Sequence, residues 1–204
     1  MRTLKRYLRP VRRISNRMLE CKAGILLARS VEAAAKTGNH EAAPDAMVDR
    51  ITRHASGLPV SAEEYQLREE QGNKLYGMMV DERLRSYGWV ASAGTRIGVL
   101  HDLHLTVPDQ AIYIWDCATD PDFRGQGYFQ KLLDAIVMMH CPTSKTALVA
   151  VDSRNEASKK ALLKAGFRPV FTYLSVRSLG RVLVSVVIKN GKLRRAQAQF
   201  DALG

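Results

Sequence analysis

The chain has 204 residues, 46% hydrophobic and 7% aromatic, enough to bury one substantial core and near the upper end of ordinary single-domain size. No apolar run approaches the roughly 18 residues of a membrane-spanning helix, so no such span is expected. Three cysteines at scattered spacing (Cys21, Cys117, Cys141) build neither a disulfide framework nor a CxxC zinc set, so the expectation is a reducing, cytoplasmic setting and no metal.

The net charge of +11 is unevenly spread: residues 1–22 hold eight Lys or Arg against Glu20 alone, which leaves +4 for the other 182 residues. A body of such low charge argues against nucleic-acid binding. Within that first segment Leu4, Leu8, Val11, Ile14 or Ser15, and Met18 recur every three or four residues, while arginines occupy the other positions and Pro10 kinks or restarts the helix. Three readings stay open for it: a basic amphipathic helix on an anionic membrane, an Arg-rich organellar targeting segment, or a helix packed on the domain. No apolar stretch of signal-peptide type follows, so a secretory signal is not expected. The organisation expected is a basic segment 1–22, a domain 23–190 and a tail 191–204.

Gly24–Val31 reads as a first strand, Ala33–Ala43 as a small, mixed connection, and Asp45–Ala55, with Met47, Val48, Ile51 and His54 at helical spacing, as a helix. Ser61-Ala62-Glu63-Glu64 has the capping-box arrangement, and the helix it opens should end at Gly72. Leu75–Val80 and Leu84–Ala91 read as a hairpin, with Tyr76, Tyr87 and Trp89 available for cross-strand packing. Residues 93–110 form a long connection containing His101 and His104, whose spacing suits a metal but which lack further ligands nearby. From Ala111 the pattern is strand (Ala111–Thr119), helix (Gly127–Met139), strand (Thr146–Val151), helix (Asn155–Ala165), then strands Phe167–Val176 and Arg181–Ile188. This alternation predicts a mixed α/β sheet, with the wholly apolar Ala147–Val151 at its centre.

Arg124-Gly125-Gln126-Gly127 follows a strand and opens a helix, the context in which glycines let backbone amides converge on an anion. A phosphate site is the natural inference. Tyr113-Ile114-Trp115-Asp116-Cys117-Ala118-Thr119-Asp120-Pro121-Asp122-Phe123-Arg124-Gly125-Gln126-Gly127 closely resembles the strand, proline turn and pyrophosphate loop of GNAT acyltransferases. Asn155-Glu156-Ala157-Ser158 and Lys164-Ala165-Gly166-Phe167 resemble the same family's later helix and its Gly-Phe exit. The resemblance covers Ala111–Val176 well, and 24–110 only by order of elements. It implies a mixed, mostly antiparallel twisted sheet flanked by helices, with a V-shaped gap between two central parallel strands. It also implies that acetyl-CoA lies in that gap, its pyrophosphate on the amides of Arg124, Gly125, Gln126, Gly127, Tyr128 and Phe129. The backbone around Cys117, Ala118 and Thr119 would pair with the pantetheine arm, and Asn155 and Ser158 would approach its far end. The sequence departs from the family at Phe129, where Gly or Ala is usual, and at Leu162, where many members carry a tyrosine that protonates the leaving thiolate.

In an undistorted strand Asp116 shares a face with Ile112 and Ile114, where a carboxylate has its pKa raised and would suit a general base; a bulge would reverse that parity. The alternative is an Asp that bonds a loop or holds the substrate's cation. Cys117 lacks an adjacent histidine to activate it and reads as a packing residue. Tyr173 could reach the gap and donate the proton Leu162 cannot, or pack in the core; Tyr128 could stack over the cofactor or cover its helix. The resulting expectation is an N-acetyltransferase acting by direct attack on a primary amine, such as an amino sugar or other small metabolite, as monomer or homodimer. The alternative is a non-catalytic relative that uses its basic arm for nucleic acid or an anionic membrane.

Overall fold

A computed structural model of the chain describes residues 20–32, 47–53, 55, 57–80, 83–99, 104–179 and 181–196. The readings for residues 1–19, Ala33–Ala43, His54, His101 and the last eight residues lie outside these. The elements are β1 (Glu20–Ser30), β2 (Met47–Ile51), α1 (Ala62–Glu70), β3 (Asn73–Val80), β4 (Arg83–Ala91), β5 (Arg96–Gly98), β6 (His104–Thr106), β7 (Ala111–Thr119), α2 (Tyr128–Met139), β8 (Thr146–Asp152), α3 (Glu156–Lys164), β9 (Arg168–Ser178), β10 (Arg181–Lys189) and β11 (Lys192–Arg195). Nine strands form one sheet in the order β11-β10-β9-β1-β8-β7-β4-β3-β2, while β5 and β6 pair separately. Among the described residues of the large sheet only β7 and β8 run parallel, and the apolar β8 lies at its middle, covered on both faces.

The period of two along the strands sorts side chains onto two faces. Ile112, Ile114, Val149 and Val151 face one way and pack under Leu132, Leu133 and Ile136 of α2 and Leu162 of α3. Tyr113, Leu148, Phe171 and Tyr173 face the other way, where Ile97 and Leu105 of the β5–β6 hairpin cover them. The long connection 93–110 thus contains a folded cap. On that same side, Tyr65 of α1 packs on Leu75, Tyr87 and Trp89, with Tyr65 and Trp89 ring centroids 5.5 Å apart. Tyr76 pairs with Gly88 rather than with an aromatic residue, and points to the α2 side.

α1 starts as its sequence dictates. The Ser61 hydroxyl accepts from the Glu64 amide at 3.1 Å, and Gly72, at φ +83°, turns the chain out of the helix. Residues 45–55 do not follow the helical reading: Met47–Ile51 is a strand, paired antiparallel with β3. Val48 packs on the α2-side core and Ile51 on the α1-side core. Apolar residues three apart fit one helix stripe, but they equally fit a strand touched on both faces, and the free edge of β3 decides between them. β11 lies in the segment read as a tail, and extends the sheet beyond β10.

Candidate active site

β7 and β8 hold register only from Ala111 opposite Thr146 to Ile114 opposite Val149. Beyond that, β7 continues to Thr119 beside β4 and β8 continues to Asp152 beside β1, so each keeps its outer partner while losing the other. Inward-facing backbone groups of both strands are left available to a ligand. The parting opens into a cleft of about 1000 Å³, walled by Cys117, Ala118 and Thr119, the following loop, the start of α2 and one side of α3.

The loop is braced by hydrogen bonds from its own side chains. Asp120 accepts from the Asp122 amide at 3.1 Å and from Arg85 Nη1 at 2.9 Å, bonds that hold its carboxyl below the usual carboxylate range. Arg124 Nε donates to the Thr119 carbonyl at 3.1 Å, and Gln126 Nε2 to the Asp122 carbonyl at 3.0 Å. Gly125 and Gly127 sit at φ +77° and +82°, a conformation that disfavours other residues. Gly127 begins α2 without a side chain to cap its first amides, and nothing stands within 4 Å of where its Cβ would be. Open amides at a helix N-terminus attract anions. Arg124, Lys131, Lys160 and Lys164 add positive charge around the same space.

β7 is bulged where the cleft begins. Trp89 stands opposite Trp115 and Tyr87 opposite Ala118, so Asp116 and Cys117 share the one partner Gly88. Asp116 takes φ +44°, and the extra residue puts Cys117, not Asp116, on the face of Ile112 and Ile114. The apolar environment expected for Asp116 is therefore corrected: its carboxylate is turned out and accepts from Arg68 Nη1 at 2.5 Å. Arg68 also donates to Glu64 Oε1 at 2.8 Å and lies over the rings of Trp89 and Trp115, at 5.1 and 4.6 Å. Burial pushes the Cys117 thiol up to about 12, aided by the neighbouring Asp116, so it stays protonated and unreactive.

Of the residues expected to hold a cofactor, Cys117, Ala118, Thr119, Arg124, Gly125, Gly127, Tyr128, Phe129, Asn155 and Ser158 all line the cleft. Gln126 does not, since its side chain closes the loop. Phe129 packs partly on the α2-side core and leaves the helix start where expected. Asn155 caps α3 by accepting from the Ser158 amide at 3.0 Å. Tyr128 meets Phe123 edge to face, centroids 5.4 Å apart, over the loop. Leu162 is buried in the core. Asp116 and Tyr173 lie outside the cleft lining. Tyr173 is wholly buried, with its Oη 2.3 Å from where a Cβ on Gly24 would be, so only a glycine there admits it. Burial, then Tyr113 and Asp152, raise its pKa above that of an ordinary phenol. The sequence reading missed Lys131, Ala157, Lys160, Ala161 and Lys164; the Ala157, Ala161, Lys164 spacing is a helical stripe that became informative only once α3 was oriented.

The sequence profile of the Acetyltransferase (GNAT) family matches residues 49–167, more than half of the chain. The chain belongs to the GNAT family. That match reaches back through α1, β3 and β4, which the motif resemblance covered only by element order. No curated protein matches the sequence. Among solved structures, a Drosophila protein is 12% identical, with 85% of this chain and 58% of that one covered and a TM-score of 0.55. A tandem GNAT protein from the clavulanic acid biosynthesis pathway is 15% identical, with 84% and 59% covered and a TM-score of 0.54. A GCN5-related N-acetyltransferase from Sphaerobacter thermophilus is 12% identical, with 83% and 56% covered and a TM-score of 0.51. This chain spans somewhat under three fifths of those structures' length, and at such identities they share its fold.

Proposed function

We propose that the chain transfers an acetyl group from acetyl-CoA to a primary amine of a small metabolite, such as an amino sugar, by direct attack with both substrates bound. The observation that carries this reading is the parting of β7 from β8 directly beside a glycine loop and an uncapped helix start. The cleft fits the cofactor in shape and charge: open strand edges suit the amides of an extended arm, and the open amides of residues 127–129 with Arg124 and Lys131 suit a pyrophosphate. Acetyl-CoA would supply the activated acyl group as a thioester. The residues holding it would be Cys117, Ala118 and Thr119 through their backbone, Arg124 to Phe129 at the loop, and Asn155 and Ser158 opposite.

In this reading Asp116 orients the acceptor's amine rather than acting as an apolar-face base, because its carboxylate is turned off the apolar face and bonds Arg68. Cys117 is a packing residue and carries no acyl group. Tyr173 holds its proton more tightly than an ordinary phenol, which makes donation to a thiolate uphill, so the thiolate is discharged to solvent. The setting proposed is cytoplasmic; among the described residues no helix is long and apolar enough to cross a membrane. One feature favours the second reading, a binding protein without catalysis: Leu162 is packed in the core where many relatives carry the donor tyrosine.

Thermal unfolding with and without acetyl-CoA tests the reading. Ligand at a hundred times its Kd should stabilise by about 2.7 kcal/mol, an upward shift of roughly 5–10 °C for a chain of this size. Gly127→Glu, which forces a side chain into a left-handed position and a negative charge onto the anion site, should abolish the shift. Absence of any shift with acetyl-CoA or longer acyl-CoAs would sink the reading, whereas a shift without amine acetylation would favour the binding protein.

A further inference from the structure

The cleft holds more positive charge than a pyrophosphate uses. Arg124, Lys131, Lys160 and Lys164 line it, and the one carboxylate among the lining residues, Asp134, is paired with Arg29. Arg124 in the loop and Lys131 near the start of α2 stand where the pyrophosphate is proposed to lie. Lys160 and Lys164 stand across the cleft on α3, and the transfer reading gives them no part.

α3 itself supplies little reason for these two cations. They are four residues apart, hence on one side of the helix and about 6 Å apart along its axis, a spacing at which like charges repel and weaken a helix. A carboxylate one turn earlier is the usual relief. Glu156 stands four residues before Lys160, in the favourable order for such a pair, yet its carboxylate accepts from Lys159 Nζ at 3.1 Å instead. Among the described residues neither Lys160 nor Lys164 forms an ion pair or a hydrogen bond through its side chain, and both are exposed. Lys164, in the last turn, suits the negative end of the helix dipole, but Lys160, in mid-helix, has no such support. Ala157 and Ala161 beside them present only methyl groups, which leaves the helix surface low enough for a bulky group to approach.

Coenzyme A carries a second anionic group, a 3′-phosphate monoester one ribose away from the pyrophosphate, with roughly two negative charges at neutral pH. α2 and α3 each begin shortly after one of the two strand ends that open the gap. With the pantetheine arm in the gap and the pyrophosphate on the loop, the adenosine end leaves the loop on the side away from the gap, along these helices. We propose that Lys160 and Lys164 bind the 3′-phosphate of the donor and thereby select CoA thioesters over those of dephospho-CoA. The proposal rests on the acetyl-CoA reading and adds to it two specificity-determining residues, which lysine serves as a point charge for phosphate.

Titration calorimetry with acetyl-CoA and with acetyl-dephospho-CoA tests it. Wild type should bind acetyl-CoA at least about tenfold tighter, a preference that shrinks as salt is raised. Lys160→Gln/Lys164→Gln should lose that preference by weakening acetyl-CoA alone. Glutamine is a good helix former at exposed positions, so the thermal midpoint of the unliganded variant should not fall. Lys159→Gln removes the same charge from the same helix, outside the cleft lining, and should leave the preference intact. Equal affinities for the two donors in wild type would overturn the proposal while leaving the acetyl-CoA reading in place. So would a preference that survives in the double variant, or one lost equally in Lys159→Gln, which would make the general field of α3 the cause. Failure to bind either donor would overturn the acetyl-CoA reading and this proposal with it.

Discussion

Gly88 shows how one residue without a side chain sets the geometry of the cleft wall. A Cβ added there would stand 2.9 Å from Cys117 Sγ, while its next neighbours, on Ile114 and Ile136, are at an ordinary 3.7 Å. The sulfur is thus the sole tight contact, and Gly88→Ala should destabilise by roughly 1–3 kcal/mol as an overpacked site. Cys117→Ala in the same chain removes the sulfur and should recover much of that loss, a coupling that a denaturation cycle of the four proteins would measure. Additive losses would mean that the bulge does not depend on this contact. His140, at the end of α2, makes a different kind of prediction. It is buried, shares a 3.0 Å hydrogen bond with the Tyr76 hydroxyl, and has its pKa lowered, first by burial and then by Lys74. A base whose folded pKa lies below its unfolded value of 6.5 takes up protons more readily when unfolded. Its contribution is therefore full above about pH 6.5 and lost as pH falls through the folded pKa. The drop in thermal midpoint between about pH 8 and pH 5.5 should be smaller in His140→Asn than in the wild type, and equal drops would assign acid sensitivity elsewhere.

At the scale of elements, periodicity and termini were legible wherever one local signal sufficed. Ser61 and Gly72 bounded α1, the Gly127 turn placed α2 within a residue, and the apolar run Ala147–Val151 identified the central strand. What stayed hidden depended on partners distant in sequence. The edge of β3 makes a strand of residues 47–51, and Gly88, almost thirty residues before Asp116, receives the bulge that turns Asp116 away from the apolar face. The loop at Gly125 and Gly127 could be read because its requirements are backbone conformations that only glycine meets easily. The environment of Asp116 could not, since it is set by Arg68 on α1, which no motif links to β7. That tie yields a prediction about both elements. Arg68→Met keeps an unbranched chain over Trp89 and Trp115 but removes the charge that binds Asp116 and Glu64. It should cost about 1–3 kcal/mol of stability. If Asp116 orients the amine, the variant should also raise KM for the acceptor while leaving the acetyl-CoA thermal shift intact. A lost acetyl-CoA shift would mean that α1 supports the cofactor side instead.

Across the whole molecule, the proposed acyl-CoA site and the basic N-terminal segment are built from different parts of the chain. The cleft draws on residues 117–164, whereas β1, which runs beside β8, begins at Glu20 and pairs with it from Gly24 to Ser30. Residues 1–19 precede in sequence every strand that shapes the cleft wall, and charge acting through solvent is screened by salt beyond about 10 Å. Deleting 1–19 should accordingly leave the acetyl-CoA stabilisation, roughly 5–10 °C at a hundred times Kd, unchanged at physiological salt. The same deletion should lower any salt-dependent part of cofactor affinity measured in dilute buffer, because the field of seven net positive charges then acts over a longer range. A shift lost at all salt concentrations would mean that the segment packs on the cleft and completes the site. A binding module whose affinity came from the arm would behave in the opposite sense, losing its ligand steeply with salt and entirely with the deletion, so the one truncation separates an acetyltransferase carrying a basic appendage from an appendage-driven binder.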